Sequence, residues 1–163
     1  MKISDVESRL TERQKSLLSH WKASAGGGHC PRRKDIDPGK VLNALSTVSI
    51  VETTHDGFRF RLTGSRLRHL FGGDVQGQLI SAIDAEVEEA GSASMELAIE
   101  TGRPIHGNRR RDGRWHFWLR LPLRDDNGQV SLVLCADELC DREDGASVRC
   151  GEADTRTIKT LAA

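Results

Sequence analysis

The sequence predicts an α+β domain: a five-stranded, mostly antiparallel sheet with helices on one face and an N-terminal amphipathic helix on the other. Two observations carry this. Three Asx-Gly pairs, Asp56-Gly57, Asp112-Gly113 and Asn127-Gly128, each stand between stretches of alternating apolar and polar residues. Such pairs tolerate the positive φ angles that tight hairpins require. The helical patterns fall at the N-terminus and in one block between the second and third strands, which favours helices covering a single sheet face.

The elements follow in chain order. Ser4-Asp5-Val6-Glu7 fits a capping box, and Val6, Leu10, Leu17, Leu18 and Trp21 recur at near-helical spacing. This predicts a helix over about 5–23, ended by Gly26-Gly27-Gly28. Asp37-Pro38 reads as an N-cap with proline in the first turn, opening a short helix with Val41, Leu42 and Leu45. The first hairpin joins Ser49-Ile50-Val51-Glu52 to Phe58-Arg59-Phe60-Arg61-Leu62. Ser65–Phe71 makes one or two helical turns, stopped by Gly72-Gly73. Asp84 caps a longer helix over 85–101, which Gly102-Arg103-Pro104 ends. Three strands follow, around Ile105-His106, Trp115–Leu121 and Val130–Leu134. The tail from Asp141 is polar and without a periodic face, so it is expected to be disordered. The organisation is therefore a helix over 1–23, a domain over 24–140 and a tail over 141–163.

Composition narrows the function. Lys plus Arg equals Asp plus Glu at 24 each, a balance that makes no case for nucleic-acid or membrane binding. No apolar run is long enough to span a bilayer and the N-terminus lacks a secretory signal, so cytoplasmic residence is expected. Cys30, Cys135, Cys140 and Cys150 fall at irregular spacings without a CxxC, which favours reduced thiols over disulfides or zinc. Nucleophile-elbow, HExxH, P-loop and dinucleotide motifs are all missing. Asp84, Glu86, Glu88 and Glu89 suit the acidic first turn of a helix and need no catalytic role. The chain is not expected to be an enzyme.

The order of elements resembles a PAS domain. Phe58–Ser65 followed by Phe71-Gly72-Gly73-Asp74-Val75-Gln76-Gly77 looks like the PAS passage from the second strand into the first helices. Trp21, Pro31-Arg32-Arg33 and Asp35-Ile36-Asp37-Pro38 are similar to small stand-alone PAS proteins common in alphaproteobacteria. The likeness covers about residues 15–138. It implies a sensory or protein-interaction role, with a signalling protein as partner and a homodimer through the N-terminal helix. It does not name a ligand. The long helix, where haem-binding PAS domains usually carry the axial residue, has no His, Cys or Tyr, and His69, His106 and His116 lie elsewhere. The reactive-cysteine motif of flavin-binding light sensors is missing. Neither haem nor flavin is expected; an unidentified small molecule remains open, as does a ligand-free adaptor.

If there is a pocket, period-two spacing points to its walls. Phe60 and Leu62, then Phe117, Leu119 and Leu121, then Leu132 and Leu134 should share the face beneath the helical block. Ile80, Met95 and Ile99 should meet them from the helices. Trp118, Val133 and Cys135 then fall on the other face, for the N-terminal helix of the same chain or of a dimer partner to cover. Arg109, Arg110, Arg111 and Arg114 form the densest basic cluster, read as an anion or partner patch or as a solvated hairpin tip.

Overall fold

A computed structural model of the chain describes residues 10–83, 85–141 and 159–160. The N-terminal helix, α1, spans Glu12–Ser24. It opens at a capping box of Thr11 and Gln14: the Thr11 hydroxyl accepts from Gln14 N–H at 3.2 Å, and Gln14 Oε1 accepts from Thr11 N–H at 3.2 Å. Ser4 and Glu7 lie outside the described residues, as do Val6 and Asp84. After α1 the chain turns at Gly27 and Gly28, with φ 72° and 82°. Asp37 caps a single 3-10 turn, Pro38–Lys40, rather than a longer helix. Val41 is buried beyond it, while Leu42 is exposed.

The sheet contains β1 (Val48–Thr54), β2 (Gly57–Thr63), β3 (Ile105–Arg111), β4 (Arg114–Arg124) and β5 (Val130–Cys140). Between β2 and β3 lie α2 (Leu67–Phe71) and α3 (Ala85–Thr101). Strand order is β2-β1-β5-β4-β3 and every pair is antiparallel. A two-residue strand from the tail, β6 (Lys159–Thr160), extends the sheet beside β3. Asp141, also in the tail, pairs with Arg114 at 2.7 Å; residues 142–158 and 161–163 lie outside the described residues. At the β3–β4 turn Asp112 and Gly113 both have positive φ, 50° and 78°, the type I′ geometry that Asp-Gly suits.

Both sheet faces are covered. Leu10, Leu17, Leu18 and Trp21 bury against Ile50, Leu119, Leu121, Leu123, Leu132 and Leu134. The Trp21 indole N–H also donates to the Pro122 carbonyl at 2.9 Å. On the other face Ile80 and Met95 pack on Val51, Phe58, Phe60, Val133 and Cys135. The helices therefore divide between the faces as expected, with α1 supplied by the same chain, but the faces themselves are exchanged. Leu119, Leu121, Leu132 and Leu134 lie beneath α1, not beneath the helical block, and Val133 and Cys135 take the reverse place. Alternation says which residues share a face; it does not say which face meets which helix when both are apolar.

Candidate functional site

The inner face, beneath α2 and α3, holds a small cavity. Its sheet wall is polar, with Ser49, Arg109, His116, Arg120 and Asp137 beside Trp118; Phe60, Phe71, Ile80, Gly91 and Met95 supply the apolar remainder. The free space is about 20 Å³, room for about one water molecule.

Strand register assembles the polar wall. Asp137 lies directly across the β4–β5 ladder from Trp118. His116 and Arg120 stand two residues to either side of Trp118 and so point to the same face, within diagonal reach of Asp137. The Arg120 guanidinium meets the carboxylate end-on, Nη1 donating to Oδ2 at 3.0 Å and Nη2 to Oδ1 at 2.9 Å. His116 Nε2 lies 2.8 Å from Oδ1. The Arg120 guanidinium also sits 5.4 Å over the Trp118 ring, in cation–π range. All three ionisable side chains are buried.

Burial sets their charge states. It pushes the His116 imidazole below its ordinary value of 6.5 and outweighs the hydrogen bond and negative charge of Asp137. His116 is therefore neutral near pH 7. Nε2–H donates to Asp137, leaving Nδ1 as an acceptor. Burial alone would raise the Asp137 carboxyl, but the Arg120 charge beside it and its hydrogen bonds hold it well below the usual carboxylate range. With a neutral imidazole that depression belongs to Arg120, and His116 adds a hydrogen bond rather than a charge. Cys135, on the same face, is pushed up to about 12 by burial and stays a thiol.

Among the described residues two buried polar atoms on this wall, His116 Nδ1 and Arg120 Nε, have no protein hydrogen-bond partner, and Ser49 Oγ meets only a thiol. Ser49 has the Cys135 thiol opposite it in the ladder, a weak hydrogen-bonding group. Among the described residues no group of His, Cys, Asp and Glu could hold a metal ion.

Among the sequence-predicted wall residues, Phe60, Ile80 and Met95 line the cavity, and Ile99 packs on the same cluster. Leu119, Leu121, Leu132 and Leu134 belong to the α1 face, and Phe117 shares their side of β4. Leu62 is also on the α1 side. A register shift pairs Leu62 with Ile50 but Phe60 with Val51, so Arg61 is the extra residue of a bulge. Phe60 and Leu62 are thereby sent to opposite faces, and Leu62 is 45% exposed.

The arginines do not form one patch either. Arg109 borders the cavity, opposite His116 in the ladder. Arg110 stacks 5.4 Å over Trp115, Arg111 pairs across the hairpin with Arg114, and Arg114 binds Asp141. Strand alternation sends neighbours to opposite faces. The polar residues of the cavity were missed as a set. A signal for them existed: Arg120 and Asp137 interrupt otherwise apolar strand runs with opposite charges, which predicts an inward ion pair.

Comparison with known proteins places this geometry. A family model described as a PAS domain matches residues 10–135. No curated protein matches the sequence. Among solved structures, the PAS domain of the histidine kinase ThkA is 22% identical at a TM-score of 0.45, over 56% of this chain and 97% of that one. A PAS domain from Colwellia psychrerythraea is 18% identical at 0.44, over 62% and 94%. The light-state Aureochrome1 LOV structure is 16% identical at 0.43, over 62% and 86%. At this distance the likenesses carry nothing about ligand or partner.

Proposed function

The chain belongs to the PAS domain family, and on that premise we propose that it is a cytoplasmic sensory and signalling module, not an enzyme, that acts through protein contacts. In this reading the inner cavity is the input and α1 is the output. One observation carries it: consecutive residues of β5 hold both. Asp137 points inward to His116 and Arg120. Glu138 points outward, accepting from the Thr11 hydroxyl and from Arg13 Nη1, the latter at 3.0 Å. Ala136 accepts from the Gln14 side-chain amide at 3.2 Å. A rearrangement in the cavity that displaces Asp137 must displace the anchor of the α1 N-terminus, because a strand is stiff over two residues. Such a two-state element biased from one site and read at another is what signalling requires. Among the described residues no helix is long and apolar enough to cross a membrane.

Hydrogen exchange tests the coupling. His116→Gln changes the cavity without touching α1. Amides of residues 14–21 should exchange faster in this variant than in the wild type, with the β1–β2 hairpin unchanged. Equal exchange in α1 would sink the reading. The second reading, a ligand-free adaptor or dimerisation unit, draws on the small free volume of the cavity. Both readings include a homodimer through the exposed side of α1. Light scattering should then give about twice the chain mass of 18.0 kDa; a monomer mass removes the dimer from both.

A further inference from the structure

The wall of the cavity specifies what it would hold. Two of its polar atoms have no partner and a third, Ser49 Oγ, has only the weak Cys135 thiol, and the three differ in kind. Arg120 Nε–H can only donate, His116 Nδ1 accepts when Nε2 carries the proton, and the Ser49 hydroxyl does either. All three side chains are more than nine-tenths buried, so each open valence costs free energy until an occupant meets it. Within the triad charge is balanced: Arg120 and Asp137 cancel and His116 is neutral. A charged occupant would lose its hydration with no countercharge among these groups. Arg109 also borders the cavity and has an interaction of its own; propionate as a counterpart tests whether its charge reaches the occupant. Opposite the polar wall stand Phe71, Ile80 and Met95, with Gly91 contributing no side chain.

We propose that the cavity binds a small uncharged molecule that pairs a hydrogen-bond acceptor with a donor on a short aliphatic body, as a carboxamide or a hydroxyketone does. The acceptor takes Arg120 Nε–H and the Ser49 hydroxyl, the donor gives to His116 Nδ1, and the aliphatic part lies against Met95. The present free space suits one water. A three- or four-carbon ligand is admitted when Met95 changes rotamer, a small cost for an unbranched thioether. This identifies the class of signal for the sensory reading and rests on it.

Met95 makes the test direct, since Met1 is the only other methionine. Full-length protein carrying ¹³C-methyl methionine is titrated with propionamide or hydroxyacetone, and with propionate and propylamine as charged counterparts. The neutral compounds should shift the Met95 methyl resonance saturably, leaving Met1 in place. Ser49→Ala, a change too small to unfold the domain, should weaken them about fivefold, the usual effect of one lost hydrogen bond. Gly91→Ala, whose added methyl takes up the one-water space from the helix side 3.9 Å from Ile80 Cγ2, should weaken binding while the spectrum stays folded. No saturable shift up to about 50 mM, weaker than any millimolar site, would mean water only and overturn the proposal. Equal or tighter binding of propionate or propylamine, or an unchanged affinity in Ser49→Ala, would overturn it too. Amide exchange in α1, measured on the same samples, separates the two ideas. Binding without a response in α1 keeps the ligand class and removes the signalling route; no binding removes the ligand class and leaves the His116→Gln test of the route intact.

Discussion

At the scale of residues, one ionic cluster dominates. A buried carboxylate that loses its partner is left with an uncompensated charge, which costs about 3–5 kcal/mol, whereas replacing both partners by apolar residues is often near neutral. Arg120→Leu should therefore destabilise by that order, and Arg120→Leu with Asp137→Leu by much less, measured by urea unfolding. A double variant as unstable as the single one would show that the pair is not the source. Acidity should act through the same residues. The folded-state pKa of His116 lies below the 6.5 of the ordinary imidazole. Above 6.5 both states are neutral and the stabilisation is complete. As pH falls below it, the unfolded chain takes up a proton that the folded one refuses, and stability drops by up to about 1.4 kcal/mol per pH unit. Asp137 acts in the same direction once pH falls below its ordinary 3.8. His116→Gln should show a shallower loss of stability than the wild type between about pH 6.5 and 5; parallel curves would contradict the assignment of a neutral imidazole.

Among the elements, the helices and strands stand near their expected positions, and the departures have local causes. Helix α3 runs over Ala85–Thr101, as its stop signal at Gly102 and Pro104 requires. Helix α1 opens at a capping box at Thr11 that lies inside the apolar repeat. The β1–β2 hairpin turns at Asp56-Gly57, yet its bulge sends Phe60 and Leu62 to opposite faces. A bulge adds one residue and has no signature in the pattern of apolar residues. Gly64 closes this hairpin against the preceding turn, and a Cβ there would lie 2.5 Å from the carbonyl oxygens of Leu45 and Ser46. Backbone cannot yield as a flexible side chain can. Gly64→Ala should lower stability by about 1–3 kcal/mol, like other overpacking changes, while Gly26→Ala, with open space around it, should change little. Similar melting temperatures for the two variants would refute the close approach.

For the whole molecule, the decisive relation is between α1 and the sheet. Leu10, Leu17, Leu18 and Trp21 each have at most 4% of their surface exposed. Burying such side chains contributes about 1.5–3 kcal/mol each before entropy costs, comparable in sum to the net stability of a small domain. Deleting residues 1–23 should bare Leu119, Leu121, Leu132 and Leu134 together and cause aggregation or a large loss of melting temperature. A truncated protein that stays soluble and melts unchanged would refute α1 as the cover. The family match begins at residue 10, so the matched region includes this helix.

By itself the sequence determined the local matters: turns at Asx-Gly, helix stops at Gly and Pro, which residues of β4 and of β5 share a face, and a resemblance resting on a run of residues from Phe58 to Gly77. These depend on backbone preference and on the spacing of neighbours along the chain. Only the tertiary structure decided which face α1 covers, how the arginines at 109–114 are divided, and that Ser49, His116, Arg120 and Asp137 meet around one cavity. Those outcomes depend on strand register and on one bulge. Register places residues far apart in sequence side by side, and both sheet faces are apolar enough that alternation alone could not tell them apart.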